Sequence, residues 1–318
     1  MDKIKHRTVL VNDINMHIAE IGEGRPILFL HGFPELWYSW RHQLLYLSSQ
    51  NYRCIAPDLR GYGDTDAPPG DANANYSVFH IVGDLVALLD YLGIDEVFLV
   101  GHDFGAIIAW YFCLFQPDRI KALVNMSVVY MTRTQFLKPT EGLKLVAGED
   151  FYICRFQEPG VVEEEYSKVD TSLLLKSILT SHGSTSTIFP KGGLKFPPDF
   201  KIPLPPWLTE EDVDYYVSKY KKSGFTGPLN YYRALDFNWE LGAPWTDAKI
   251  KVPVKFIVGD RDMALSFPGI RDYIDNGEFK RYVPLLEEVV FLEGVGHFCN
   301  QEKPDEVNQH ILGYFNRF

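Results

Sequence analysis

The stretch Val97-Phe98-Leu99-Val100-Gly101-His102-Asp103-Phe104-Gly105 decides how the rest of the chain is read. Four successive apolar residues suit a strand buried on both faces. The apolar run Ala106 to Phe115 beyond it has the length of a helix. Between them the glycines at 101 and 105 permit a sharp, strained turn, where any side chain would collide with the neighbouring strand or helix. The tip residue is thereby exposed at the carboxyl end of the strand. Serine at such a tip attacks acyl groups, whereas aspartate points to attack on a saturated carbon.

The same alternation continues on both sides of this turn. Thr8–Asn12 and Met16–Ile21 predict an opening hairpin, and Pro26–Leu30, Tyr52–Ala56 and Ala122–Met126 predict strands. Val78–Leu92 carries apolar residues at helical spacing and stops at Gly93. The next core strand, Val254–Val258, comes only after roughly 125 residues, far beyond an ordinary strand–helix loop. An inserted, mainly helical lid over 130–245 accounts for the gap, leaving 1–129 and 246–318 as the core. Within the insert, Thr209-Glu210-Glu211-Asp212 has the form of a capping box, and Pro228 is placed to open a helix over Leu229–Leu235. The proline-rich Pro197–Pro206 reads as an extended connection. Glu288–Leu292 and Asp305–Phe315 close the chain as a strand and an amphipathic helix. Strands alternating with helices imply an α/β fold with a mostly parallel central sheet flanked by helices, whose ligands bind beyond the carboxyl ends of the strands.

Composition limits the partners. The 318 residues are 46% apolar and 23% charged, within the globular range, and the formal net charge of -11 disfavours nucleic acid. No run reaches the length of a membrane span. The start Met1-Asp2-Lys3-Ile4-Lys5-His6 has no apolar signal core, and Asn316-Arg317-Phe318 is not a peroxisomal tripeptide, so a cytoplasmic protein is expected. Cys54, Cys113, Cys154 and Cys299 are scattered and read as reduced thiols, without metal or redox spacing. Asn75-Tyr76-Ser77 and Asn125-Met126-Ser127 match the glycosylation pattern by accident.

Three residues fall at strand ends in a telling order: Asp103 at the turn, Asp262 after Val254–Val258, and His297 after Glu288–Leu292. Nucleophile, acid, histidine is the chain order of the α/β-hydrolase fold. His297 lies in Gly294-Val295-Gly296-His297-Phe298, a loop able to aim an imidazole, and Asp262 can hold its other nitrogen. Singly, each aspartate is more often a turn former and the histidine more often a surface group than a catalyst; the ordered set is what points to catalysis. His31-Gly32-Phe33-Pro34 is either a simple turn or half of an oxyanion hole, the Phe33 and Phe104 amides forming the pair. Asp58-Leu59-Arg60-Gly61-Tyr62-Gly63 reads as a structural turn with an ion-paired arginine.

These segments resemble the α/β-hydrolase fold over almost the whole chain, and within it the soluble, plant-type epoxide hydrolases. The resemblance rests on His31-Gly32-Phe33-Pro34, Gly101-His102-Asp103-Phe104-Gly105, the segment Phe151-Tyr152-Ile153-Cys154-Arg155-Phe156-Gln157-Glu158-Pro159-Gly160, and Asn230-Tyr231-Tyr232-Arg233. It implies hydrolysis of lipophilic epoxides, epoxy fatty acids among them, to vicinal diols through an ester on Asp103. Tyr152 and Tyr232, not Tyr231, would donate to the epoxide oxygen. His297 would activate water, with Asp262 orienting it. Glu35 and His102 would organise water, beside His31 and Pro34, and Phe33 and Trp37 would line an apolar pocket. No cofactor and no metal are implied; the expected partners are an epoxide and water, and the expected state is a monomer.

Two rivals remain. A dehalogenase shares the aspartate and histidine but needs Trp or Asn donors for halide, and Phe104 after the nucleophile offers none. A catalytically retired small-molecule receptor would keep the scaffold, yet would lose part of the machinery that is complete here.

Overall fold

The computed structural model describes residues 2–181 and 189–318. Strands β1 (Lys5–Val11) and β2 (Ile14–Ile21) form the expected hairpin. Its turn residues Asn12 and Asp13 both have positive φ, 48° and 61°, as a two-residue turn matching strand twist requires. They are followed by β3 (Arg25–Leu30), β4 (Tyr52–Pro57), β5 (Val97–His102), β6 (Ile120–Met126), β7 (Val254–Gly259) and β8 (Leu286–Leu292). The sheet order is β1-β2-β4-β3-β5-β6-β7-β8. From β3 to β8 every pairing is parallel, while β2 runs antiparallel to β1 and β4.

Both faces of the central strands are buried, β5 and β7 throughout, which explains their apolar runs, while the edge strands β1 and β8 are partly exposed. Along β5, Leu99 faces one core with Leu85 and Leu88 of α2 (Val78–Tyr91) and Ile108 and Phe112 of α3 (Phe104–Phe115). Phe98 and Val100 face the other, with Leu44 and Leu47 of α1 (Arg41–Ser48). The helix nearest the carboxyl end, Pro304–Phe315, contributes Ile311 and Phe315 to that second core. The Asp58–Gly63 turn is held as expected, with Arg60 paired through Nε and Nη2 to both oxygens of buried Asp84, at 2.7 and 2.5 Å.

Between β6 and β7 the described elements are helical: α4 (Pro139–Ala147), α5 (Tyr152–Arg155), α6 (Val161–Ser167), α7 (Thr171–Leu179), α8 (Glu210–Ser223), α9 (Thr226–Arg233) and α10 (Leu235–Leu241). The capping box opens α8: Thr209 Oγ1 accepts from the Asp212 amide at 3.1 Å, and Asp212 Oδ2 accepts from the Thr209 amide at 2.9 Å. The Pro228 reading needs correction. The helix begins two residues earlier, at Thr226, so the proline sits within its first turn, where its missing N–H costs nothing. It ends at Arg233, and Leu235 starts the next helix.

Two insert segments distant in sequence are stitched together. Arg233 makes a bidentate pair with Glu163, at 2.8 and 2.9 Å, and its Nε donates to the Phe156 carbonyl at 2.9 Å. Gln157 Nε2 donates to the carbonyls of Ile153 and Tyr232, at 2.8 and 3.0 Å. These contacts bring Tyr152 and Tyr232 side by side, with ring centroids 6.0 Å apart.

Candidate active site

The turn after β5 has the strain its glycines predicted. Asp103 takes φ +54°, a conformation unfavourable for a residue with a side chain. A Cβ on Gly105 would run into the Leu30 carbonyl, and one on Gly32 into the Asp103 carboxylate. The loop after β3 can therefore close directly onto Asp103. Phe33 N–H donates to Asp103 Oδ1 at 2.8 Å, while Phe104 is the first residue of α3.

Asp103, Asp262 and His297 meet at the ends of β5, β7 and β8. His297 Nδ1 lies 2.8 Å from Asp262 Oδ1, and its Nε2 lies 3.5 Å from Asp103 Oδ2. Nδ1 therefore carries its proton toward Asp262 and Nε2 faces the nucleophile position. Burial opposes charge on this imidazole, but the two carboxylates outweigh it and raise its pKa well above the ordinary value. Burial alone would raise the Asp103 carboxyl; His297, then His102 and the Phe33 amide, hold it below the ordinary value instead. Asp262 is held low in the same way by His297. All three shifts run toward two carboxylates around one imidazolium.

A second pair lies beneath. Glu35 and His102 are fully buried; His102 Nδ1 donates to Glu35 Oε2 at 2.7 Å and Nε2 to the His297 carbonyl at 2.8 Å. Both ring nitrogens face oxygen acceptors, so the ring is doubly protonated. Its pKa is raised by Glu35 against the pull of burial, and that of Glu35 is lowered by His102 against the same pull. Glu35 also accepts from the Gly32 amide at 3.0 Å. The pair ties the loop bearing Phe33 to the loop bearing His297. His31 accepts from the Leu59 amide at Nε2 (3.0 Å) and donates from Nδ1 to the Gly32 carbonyl (3.0 Å), and burial lowers its pKa, so it is neutral. Pro34 follows Phe33 through a cis peptide.

Above Asp103 lies a cavity of about 670 Å³, lined by Phe33, Asp103, Phe104, Tyr152, Tyr232 and His297 among mostly apolar groups. Tyr152 and Tyr232 both have raised pKa values, through burial first and then through neighbours that include the Asp103 carboxylate. Tyr231 turns away, and its hydroxyl donates to the Arg60 carbonyl at 2.7 Å. Trp37 corrects the sequence reading: it does not line the cavity. Its indole N–H donates to Tyr215 Oη at 2.7 Å and its ring packs on His6 and Tyr38.

Ser127 was missed. Its hydroxyl lies 3.2 Å from His297 Nδ1, and the only signal in the sequence was its place directly after a strand. Asn125, two residues earlier, is buried and donates to the Ala106 carbonyl, so it offers no glycosylation acceptor. Outside the cavity, His17, Asp58 and Asp64 bring three possible metal ligands together. Asp58 is already satisfied by His17 Nδ1 and the Trp37 amide, and Asp64 by Lys219 and Lys222. Among the described residues, no helix is long and apolar enough to cross a membrane.

A strained aspartate turn on a parallel sheet, with a histidine and an acid at neighbouring strand ends, is the arrangement of the α/β-hydrolase fold, whose family model matches residues 25–150. The chain is 59% identical to Epoxide hydrolase 3 of Siraitia grosvenorii over 320 residues, all of both chains. Among solved structures, it superposes on an epoxide hydrolase from Vigna radiata with a TM-score of 0.92, at 55% identity over 100% of this chain and 99% of that one. A mutant of the epoxide hydrolase from Solanum tuberosum matches with a TM-score of 0.94, at 54% identity over 99% of this chain and 100% of that one. The chain belongs to the epoxide hydrolases of the α/β-hydrolase fold, enzymes that add water to an epoxide.

Proposed function

We propose that the enzyme hydrolyses lipophilic epoxides in two steps through an alkyl ester on Asp103, beneath a lid formed by residues 130–245. The observation that carries this reading is the division of labour at the Asp103 carboxylate. Oδ1 is engaged by the Phe33 amide, while Oδ2 makes only a long contact with His297, and both Asp103 and His297 line the cavity. Oδ2 attacks a ring carbon from the face opposite the epoxide oxygen. That oxygen, placed at the Tyr152 and Tyr232 hydroxyls, takes a proton as the C–O bond breaks. Phenols with raised pKa values remain protonated for the task.

Esterification removes the negative charge of Asp103. His297 then has one carboxylate partner in place of two, and its hold on the extra proton weakens. That proton restores the phenol. The neutral imidazole, kept in orientation by Asp262, accepts a proton from water as the water attacks the ester carbonyl. Oδ1 becomes the oxyanion, held by the Phe33 amide with that of Phe104. Collapse releases the diol and returns Asp103 as carboxylate and His297 as imidazolium, so the proton count closes. Glu35 and His102 act as positioning groups, with His31 and Pro34 shaping the loop that presents Phe33.

A single turnover in oxygen-18 water tests the scheme. The label is expected in the Asp103 side chain and not in the first diol released. Label in that first diol with none in Asp103 refutes the ester.

A further inference from the structure

Ser127 sits where glycine would be easier. It directly follows β6, it is buried, and its backbone holds φ +72°. That left-handed region suits glycine and strains a residue with a side chain. The position is fixed by the sheet: the Ser127 amide donates to the Ile257 carbonyl of β7 at 3.0 Å, extending the β6–β7 pairing toward the strand end from which the Asp262 loop departs. A glycine would sit here without strain, and what it would lack is the hydroxyl.

That hydroxyl lies beside the His297–Asp262 pair. Its oxygen is 3.2 Å from His297 Nδ1, the nitrogen that also meets Asp262 Oδ1 at 2.8 Å. Nδ1 carries its proton toward Asp262, so the serine oxygen accepts from it, and the serine's own hydrogen is left to turn elsewhere. The neighbouring acceptor with capacity to spare is Asp262. Its Oδ1 also accepts from the Ala264 amide at 2.9 Å, whereas Oδ2 is buried without a hydrogen-bond partner among the described residues. A buried carboxylate oxygen in that condition is unfavourable unless a donor turns to it. Burial pushes the Asp262 carboxyl up; His297 first, then the Ala264 amide and the Ser127 hydroxyl, bring it below its ordinary value.

We propose that Ser127 is a positioning residue for the second half of the reaction, its hydroxyl accepting from His297 Nδ1–H and donating to the Asp262 carboxylate. The proposal rests on the reading that an ester on Asp103 is hydrolysed by water activated at His297. During ring opening the imidazolium balances the Asp262 charge, and the hydroxyl adds little. Once the ring is neutral, Asp262 is a buried anion without that counter-charge, and the serine donor then carries more of its stabilisation. Without the donor, the pair holds its proton more tightly, because a less stabilised carboxylate binds a proton more strongly. The other titratable groups facing the pair are Asp103 and His102 against His297, His102 being paired with Glu35, and Tyr152 and Cys299 near Asp262. Burial raises the phenol and the thiol, so both are neutral. In the ester Asp103 carries no charge, which leaves Asp262 and His102 to set the proton affinity of His297.

The test separates ester formation from ester decay by rapid mixing with an aryl epoxide, quenching, and intact-protein mass spectrometry across pH. Ser127→Gly removes the hydroxyl and suits the backbone. It is expected to form the Asp103 adduct within about twofold of the wild-type rate. Decay of the adduct is expected to slow about tenfold, through loss of one hydrogen bond to a charged group, and the acid limb of its pH profile to move about one unit alkaline. Ser127→Ala, which keeps the Cβ, is expected to do the same and separates the hydroxyl from any backbone effect of glycine. In an Asp262→Asn background, removing the hydroxyl should change decay by less than about twofold, since the charge it serves is gone. A serine that merely fills space would slow formation and decay together, leave the acid limb in place, or act equally in both backgrounds. Any of these, or decay within about twofold of wild type in both single variants, overturns the proposal. Absence of an adduct from every variant, the Asp262→Asn double variant included, strikes instead at the ester on Asp103.

Discussion

Replacing His297 by glutamine separates the two halves of the proposed reaction. The amide cannot take a proton from water, so ester hydrolysis loses a general base worth about 10²–10⁴ in rate. It also removes the imidazolium 3.5 Å from Asp103 Oδ2, an attraction of roughly 5 kcal/mol at an effective dielectric of about 20. In the wild type that attraction keeps the Asp103 pKa low, overcoming burial, so ring opening persists well into acid. In the variant burial acts without this opponent, the Asp103 pKa rises, and ring opening fails as pH drops through the higher value. At mildly alkaline pH the carboxylate is ionised and has lost a competing partner, so alkylation proceeds. Intact-protein mass spectrometry after mixing with excess epoxide should then show one adduct of the substrate's mass, mapped to Asp103 and accumulating more at alkaline than at acid pH. An unmodified enzyme at alkaline pH, or diol production near the wild-type rate, would defeat both the two-step scheme and the assignment of the base.

Three tyrosines offer an internal control: Tyr152→Phe with Tyr232→Phe together should slow ring opening at least about a hundredfold in single-turnover assays, each alone by less. Tyr231→Phe should cost about 1 kcal/mol in urea unfolding through loss of its bond to the Arg60 carbonyl, with turnover unchanged within about twofold. Gly105→Ala forces a methyl against the Leu30 carbonyl, where backbone cannot yield as a side chain could, so a destabilisation of about 3 kcal/mol or more is expected; an unchanged urea midpoint would contradict the close packing of α3 on β3.

What could be read from the sequence follows the range of the physical signal. The central strands announce themselves because burial on both faces needs apolar runs, as Ile27–Leu30 of β3, Val97–Val100 of β5 and Phe256–Val258 of β7 supply, whereas the edge strand β8 opens on Leu286 with exposed Glu287 and Glu288 after it. The turn at Asp103 is legible because its glycines answer clashes with neighbours that any such strand–helix unit must have. Trp37 shows the limit. An aromatic near a catalytic loop can face the cavity or the back of the loop, and periodicity is silent inside a turn; here Trp37–Trp40 folds into a short helical turn that sends the indole toward Tyr215. Glu35 and His102 were visible only as neighbours of motifs. Their pairing spans 67 residues and is made by the convergence of two strand ends, which no local pattern records. Ser127 fails for the same reason: its partner is 170 residues away. Gln157 and Arg233 bind one tyrosine segment to the other across some 75 residues, a contact that no local pattern records.

The electrostatics of the pocket give the order of events in the proposed reaction a physical cause. An imidazole between two carboxylates keeps its proton, because giving it up leaves two anions facing each other across a buried ring, and a ring that is already protonated cannot take a proton from water. A serine-based site has no such obstacle, since its resting nucleophile is neutral and its histidine must act first. Here the nucleophile is already ionised and needs no help, so the proton on His297 does no harm to the first step and steadies the attacking carboxylate. In the proposed scheme, ester formation removes one of the two anions and so makes the base. Water arriving before the epoxide meets a histidine that is charged and cannot accept its proton; water arriving afterwards meets one that can. On this reasoning the buried Glu35–His102 pair matters for more than packing. Its imidazolium donates to the carbonyl of His297, fixing the ring's position while its charge changes, so that the imidazole loses its proton without losing its aim.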